Sequence, residues 1–138
     1  MRTSTRIATL AGASTLVVGG LSAPQASAAM GETCRTVYAA SGAAIGRGCF
    51  VGYGDDITVQ DLKADGMRVV VKWQTTNLRS GTCHNAMGAN NFTVICDYNF
   101  PENDYIYIRV CVRKGENGTD QRCSAEAGPI SISSGEYA

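Results

Sequence analysis

The sequence has little of several residue types on which catalytic and metal sites depend. It holds one histidine and one tryptophan among 138 residues, and its six cysteines form no C-x-x-C pair. This spacing disfavours a zinc ribbon or a thioredoxin-type redox site. Neither sign of charge is in excess, since 12 Lys and Arg balance 12 Asp and Glu. A chain without net positive charge has no electrostatic attraction to nucleic acid or to an anionic membrane, and we expect neither as a partner.

Residues 1–28 have the composition of a secretory signal peptide. Two arginines supply a positive start, an apolar run of small residues follows, and Ala26-Ser27-Ala28 fits the small-x-small cleavage rule. The apolar run is too short and too rich in glycine for a membrane span, which needs about 20 strongly apolar residues. Cleavage after Ala28 leaves residues 29–138, a length typical of a single domain. We therefore expect a secreted, extracellular β domain with no membrane anchor.

All six cysteines follow the predicted cleavage point. An even number of cysteines in a small exported chain argues for three disulfides, for which fifteen pairings are possible. Consecutive cysteines bracket short segments typical of strand–turn–strand, and neighbouring strands bring Cα atoms to the distance that a disulfide requires. The sequence does not choose a pairing rigorously, but this topology favours Cys34–Cys49, Cys83–Cys96 and Cys111–Cys123.

Alternation of apolar and polar residues indicates β-strands with one packed and one solvated face. The clearest strands are Met67–Thr75, Phe92–Phe100 and Tyr105–Arg113, and no window longer than ten residues has helical periodicity. Weaker patterns predict strands at Thr33–Ala39, Cys49–Tyr53, Ile57–Leu62, Gln121–Ala125 and Ile130–Ser133. The sequence thus predicts an all-β fold, an antiparallel β-sandwich of about seven or eight short, disulfide-stabilised strands, with a small β-barrel as the alternative.

Two local features refine this prediction. Residues 63–66 are predicted to join the Ile57–Leu62 strand to the Met67–Thr75 strand as a tight hairpin, with Gly66 supplying the positive φ. Trp73 continues the apolar side of Met67–Thr75, and we expect it in the core against a disulfide.

Two sets of short motifs follow one another in a fixed order along most of the chain. The first set contains Gly48-Cys49-Phe50, Tyr53-Gly54-Asp55, Val59 with Asp61, Ala64-Asp65-Gly66 and Trp73. The second set contains Cys83, Asn85, Gly88, Cys96 and Tyr98-Asn99-Phe100 with Glu102. Together they resemble a group of small secreted proteins from Streptomyces-type actinobacteria. The resemblance implies secretion and a compact β domain, and it supplies no catalytic or binding residues.

His84 is the first candidate for catalysis, and it lies in a segment, Ser80–Asn85, that reads as a loop. A histidine general base needs an oriented nucleophile and a partner carboxylate. Ser80, Thr82 and Asp97 are the nearest such residues, but no sequence signature joins them to His84. A surface histidine beside a disulfide is the simpler interpretation, so we assign no catalytic residue.

Carboxylates occur in and beside the predicted turns, and they are hard oxygen ligands of the kind that hold calcium in extracellular β domains. They are Asp55, Asp56, Asp61, Asp65, Glu102 and Asp104, with Asn103 between the last two. The segment that starts at Asp61 is not an EF-hand, because Lys63 and Lys72 occupy positions that need oxygen ligands. Ordinary turn chemistry, in which Asp bonds its own backbone, is the stronger explanation. The sequence predicts no cofactor other than a possible calcium ion, and no metal ligand is assigned.

One predicted strand carries residue types that are enriched at binding hot spots. Tyr105, Tyr107, Arg109 and Arg113 project from the same side of Tyr105–Arg113. Cross-strand pairing of the tyrosines and solvation of the arginines is the simpler explanation. We nevertheless take these four as candidate binding residues, because tyrosine loses little entropy on contact. Arg68 and Lys72 extend the surface if the two strands are neighbours.

These observations favour a secreted, non-enzymatic binding module. Its partner would be an extracellular protein, such as a secreted hydrolase that it inhibits, or a cell-wall polymer such as a glycan. The alternatives are a small secreted hydrolase and a structural protein associated with the envelope or the spore.

Overall fold

The structure, a computed structural model, describes residues 31–90 and 92–138, so the predicted signal peptide lies outside the described residues. The described residues form nine β-strands. They are β1 (Glu32–Tyr38), β2 (Ala44–Val51), β3 (Asp56–Asp61), β4 (Arg68–Thr75), β5 (Ser80–Asn85), β6 (Thr93–Asp97), β7 (Tyr105–Arg113), β8 (Asp120–Cys123) and β9 (Ala127–Ser131). A search of the same residues finds no helix with the length and hydropathy needed to cross a membrane.

The strands form two antiparallel sheets that pack against each other. The four-stranded sheet has the order β1-β2-β3-β6, and the five-stranded sheet has the order β5-β4-β7-β8, with β9 also paired to β7. The facing sides share one core, whose largest fully buried side chains include Phe50, Ile57, Ile106, Ile108 and Ile130. The predicted all-β antiparallel sandwich is confirmed, and since the two sheets stay separate, the fold is not the alternative barrel.

Ser80–Asn85 is strand β5 and not the loop that the sequence predicted, which brings the count to nine strands. Its sequence is polar, and only Cys83 and Asn85 are buried, so it lacks a run of alternating apolar residues. Backbone pairing with β4 makes it a strand, with Gly81 opposite Trp73. Polar side chains are common on edge strands such as β5, because they discourage pairing of the exposed edge with another chain.

Residues 63–66 connect the two sheets and do not form the predicted hairpin. Strand β3 before them belongs to the four-stranded sheet, and β4 after them belongs to the five-stranded sheet. Gly66 does have the expected positive φ of 74°. Turn residues mark where the chain reverses, but they do not determine which sheet the next strand joins.

The three disulfides have the predicted sequential pairing. Cys34–Cys49 and Cys111–Cys123 join residues that are directly opposite on paired strands. Cys83–Cys96 is different, because β5 and β6 belong to different sheets, so the expected hairpin bridge is instead a link across the sandwich. Three disulfides in a small chain are typical of an oxidising, extracellular environment.

Trp73 lies in the core, as the sequence predicted, and is 7% exposed. Its ring packs edge-on against those of Tyr98 and Phe100, at 5.0 Å between centroids in both cases. The two partners follow β6, so this cluster joins the two sheets near the end of β4. Arg79 covers the cluster, with its guanidinium 5.3 Å from the Phe100 ring centroid.

Candidate functional site

The four candidate binding residues lie on the solvent side of the five-stranded sheet, which we call the outer face. Strand β7 alternates between the core and this face. Its buried residues on the core side are Ile106, Ile108, Val110 and Val112. Tyr105, Tyr107, Arg109 and Arg113 alternate with them and therefore point outward. Tyr105 is 41% exposed at the start of the strand.

Strand β4 adds three polar side chains to the outer face. In the β4–β7 register, Arg68 is opposite Arg113, Lys72 is opposite Arg109 and Gln74 is opposite Tyr107. Arg68 and Lys72 therefore extend the surface as expected for neighbouring strands. Like charges directly opposite each other repel, so this face needs acidic partners to be stable.

Two acidic residues form ion pairs with three of these four cations. The Asp120 carboxylate on β8 lies 2.9 Å from Lys72 Nζ and 2.7 Å from Arg113 Nη2. Glu126 lies 3.9 Å from Arg109 Nη2. The side chain of Arg113 is 13% exposed, whereas that of Arg109 is 47% exposed. Arg113 is thus held in the sheet as part of an ion-pair network, and Arg109 is the more exposed of these two arginines.

Asp120 has a perturbed pKa because of this network. Burial raises the pKa of its carboxyl, but the hydrogen bond from Lys72 and the positive charges of Arg113 and Lys72 outweigh burial. The net effect holds the pKa of Asp120 below its usual value. A carboxyl with a lowered folded-state pKa stabilises the fold at neutral pH and loses that contribution in acid.

We expect Asp120→Asn to lower the free energy of unfolding by about 1 kcal/mol at pH 7, since partly exposed ion pairs contribute at about this level. The contribution is complete above the unfolded-state pKa of about 4 and disappears as the pH falls through the lowered folded-state pKa. Urea unfolding of both proteins across this range measures it. Glu126→Gln, which breaks the longer pair, is the control and should have less effect. A difference that stays constant in acid would contradict the assignment.

A groove of about 330 Å³ lies on the outer face, where β5, β4 and β7 run side by side. Its polar lining comes from all three strands and from the β8–β9 connection: Lys72, Gln74, Ser80, Thr82, Arg109 and Glu126. Tyr107 is the aromatic residue of the outer face that lines it. The Tyr107 ring lies against Gly128, where a Cβ would come within 2.5 Å of a ring carbon. A glycine at this point thus leaves the space that the Tyr107 ring occupies beside the backbone.

Two of the four predicted binding residues line the groove. Tyr107 and Arg109 line it, while Tyr105 and Arg113 do not. Sequence reasoning missed Gln74, although it shares a side of β4 with Lys72 and the alternation was sufficient to find it. It also missed Glu126, whose direction no local pattern reveals because it lies between two strands.

His84 is beside Val70 at the sheet edge and makes no catalytic relay in the described part of the chain. Its Nε2 lies 3.0 Å from the Thr82 hydroxyl, and no hydrogen bond joins the described side chains of His84 and a carboxylate. Burial, followed by the charges of Arg113 and Arg68, lowers the pKa of His84. Asp97 lies on β6 in the other sheet. The structure therefore does not assemble the predicted neighbours of His84 into a nucleophile–base–acid set.

The loop carboxylates act mainly as acceptors of backbone hydrogen bonds, either within their own turn, as for Asp65, or from a distant segment, as for Asp55. Asp55 accepts from Phe100 N at 2.8 Å, and Asp65 accepts from Met67 N at 2.9 Å. Among the described residues, three potential metal ligands converge at two places, each built on a cysteine pair. In both, the two sulfurs are bonded to each other, so they do not act as thiolate ligands.

The groove offers hydrogen-bond donors, acceptors and both signs of charge beside one fixed aromatic ring. Comparison of the chain with protein-family models, curated proteins and solved structures finds no match in any of the three.

Proposed function

We propose that this protein is a secreted, non-enzymatic binding module that takes a cell-wall glycan in the groove of the outer face. The observation that carries the proposal is the lining of the groove, where the Tyr107 ring stands beside Arg109, Gln74 and Glu126. A sugar ring presents hydroxyl groups at its rim and C–H groups on its faces. An amphipathic aromatic ring and a few placed polar groups match both features.

The character of the outer face favours a glycan over a protein partner. A stable protein interface buries about 800 Å² on each partner around an apolar centre. In the described residues, Tyr105 is the one large apolar or aromatic side chain that is strongly exposed on the outer face. The rest of this surface is charged or polar, which suits a hydroxylated ligand better than an apolar protein surface.

Secretion is part of the proposal. It is supported by the signal peptide predicted at residues 1–28, by the three disulfides and by the resemblance to small secreted actinobacterial proteins. A groove built on paired, disulfide-linked strands is already formed before the ligand arrives. Binding then orders few groups, which lowers its entropic cost.

The test is cosedimentation of the protein, recovered from culture medium with its disulfides intact, with insoluble peptidoglycan. We expect the wild type to bind, and we expect Tyr107→Ala and Arg109→Ala each to weaken binding about tenfold, or about 1.4 kcal/mol. Tyr38→Ala is the matched control, because Tyr38 is an exposed aromatic residue on β1 of the other sheet. Circular dichroism checks that each variant folds.

The other outcomes separate the alternatives. No binding, or equal weakening by Tyr38→Ala, contradicts the proposal. Capture of a defined secreted protein in place of peptidoglycan would favour a protein partner, including an inhibited hydrolase. Release of reducing ends would favour a small secreted hydrolase. The observation that favours a hydrolase is a cavity lined by both Asp61 and Asp65, since glycosidases use two carboxylates. Retention in the envelope or spore without either binding activity would favour a structural role.

A further inference from the structure

A second cavity lies at one end of the sandwich, apart from the groove of the outer face. Its volume is about 580 Å³, and its lining comes from the β3–β4, β5–β6 and β7–β8 connections. Small residues leave this space open: Ala64, Gly66, Ala86, Gly88, Ala89 and Gly115. The volume is within the range of about 300–1,000 Å³ that is usual for small-molecule sites.

Asp61 is the buried carboxylate of this cavity. It ends β3 and continues the core-facing series of Ile57 and Val59, so the alternation of the strand turns a carboxylate inward. Asp61 is 3% exposed, and its Oδ1 accepts a hydrogen bond from Lys63 N at 3.0 Å. Among the described residues, its Oδ2 has no hydrogen-bond partner, and the carboxylate has no ion pair. Because Asp61 lines the cavity and Oδ2 is not sealed in the core, this oxygen is open to a ligand.

Asn85 provides a useful contrast in the same cavity. It is fully buried on the core-facing side of β5, but its side chain has its hydrogen bonds made. Its Nδ2 donates to Val59 O at 3.2 Å and to Phe92 O at 2.9 Å, and its Oδ1 accepts from Met87 N at 3.0 Å. Asn85 therefore holds the loop in place. In Asp61, by contrast, one carboxylate oxygen, Oδ2, still lacks a hydrogen-bond partner in the described structure.

Asp61 has a second carboxylate nearby and no ion-pair partner in the described structure. Burial raises the pKa of its carboxyl, the hydrogen bond from Lys63 N lowers it, and the negative charge of Asp65 raises it further. A buried carboxylate near a second one is costly unless a positive group offsets it. Lys63 and Arg68 line the cavity but form no ion pair with Asp61 in the described structure. A protonated amine supplies the missing charge and up to three hydrogen-bond donors.

We propose that this cavity binds a small organic ligand through a protonated amine that donates to the Asp61 carboxylate. An organic ligand fits better than a metal ion for two reasons. The cavity is far larger than an ion needs, and its described residues do not bring three metal-ligating side chains together. The site shares no residue with the groove of the outer face, so it does not rest on the proposed glycan binding.

An NMR titration of backbone amides with two matched probes tests the proposal. D-glucosamine carries the amine, and D-glucose is the same ring without it. We expect glucosamine to shift the amides of residues 62–67 and 85–90 saturably, with a dissociation constant in the millimolar range or lower. Glucose should bind at least about tenfold more weakly at these amides. The amides of Tyr107 and Arg109 report on the groove and should not follow the same curve.

Asp61→Asn is the matched variant, because it keeps the acceptor for Lys63 N and removes the charge. It should weaken glucosamine binding at least about tenfold. Asp56→Asn, at the opposite end of the same strand, should leave binding unchanged. Absence of saturable shifts, equal binding of both sugars, or unchanged binding by Asp61→Asn would overturn the proposal. So would calcium chloride shifting these amides while glucosamine does not. The comparison of the two sugars uses the wild type and so remains decisive if a variant does not fold.

Discussion

Replacing Cys83 and Cys96 together by alanine is expected to lower the free energy of unfolding by at least about 3 kcal/mol. The chain-entropy model gives similar values for all three disulfides, because their sequence separations are 15, 13 and 12 and loop entropy depends on the logarithm of length. The three disulfides differ in which strands they join in the folded state. Cys83–Cys96 joins the edge strands β5 and β6 of different sheets, whereas the other two join strands already paired by backbone hydrogen bonds.

The matched control is Cys34→Ala with Cys49→Ala. We expect this pair to lose less stability, because β1 and β2 stay paired over Glu32–Tyr38 without the disulfide. Guanidinium unfolding followed by the fluorescence of Trp73, the one tryptophan of the chain, compares the two. Hydrogen exchange should accelerate in β5 and β6 only when Cys83–Cys96 is removed. Equal losses from the two pairs would show that the link between sheets adds nothing in the folded state.

The sequence predicted which side of a strand is buried better than it predicted which strands are neighbours. In β4 and β7 the alternation alone indicated that Val71 and Ile108 face the core and that Lys72 and Arg109 face solvent. Alternation is local and depends on the pleat of one strand. The sheet that a strand joins depends on the whole topology. This is why the crossing at residues 63–66 looked like a hairpin and why the polar β5 looked like a loop.

The two candidate sites illustrate the same limit. Tyr107 and Arg109 could be placed on one surface from β7 alone, but the groove also needs β5 and the packing of Tyr107 on Gly128, which no local pattern reveals. Asp61 was different, because the series Ile57, Val59, Asp61 already placed a carboxylate on a core-facing position. The turn-acceptor interpretation of Asp61 is correct for one oxygen, since Oδ1 accepts from Lys63 N, but it does not describe the burial of the carboxylate. An acidic residue in phase with buried apolar residues of a strand therefore indicates a buried carboxylate.

Gly48→Ala is expected to destabilise the fold by about 1–3 kcal/mol, because it overpacks the point where the two sheets approach closely. Gly48 lies on the core side of β2, and a Cβ there would be 2.1 Å from Val71 Cγ2 and 3.0 Å from Val110 Cγ2. Removing a glycine restricts the unfolded chain and stabilises by roughly 0.4–1 kcal/mol, which is too little to offset the clash. Gly48 is not among the described glycines with a positive φ, so the loss reports the clash and not backbone strain.

A double-mutant cycle with Val71→Ala isolates the contact between the sheets. Val71→Ala alone leaves a cavity in the core and should cost roughly 2 kcal/mol. In the double variant the new methyl group at position 48 occupies space that the valine methyl groups vacate. The combined loss should therefore be smaller than the sum of the single losses, with a coupling of about 1–3 kcal/mol measured by urea unfolding. Strict additivity would mean that Gly48 does not set the spacing at this point. The missing side chain on β2 and the valine on β4 would then be independent features of the core.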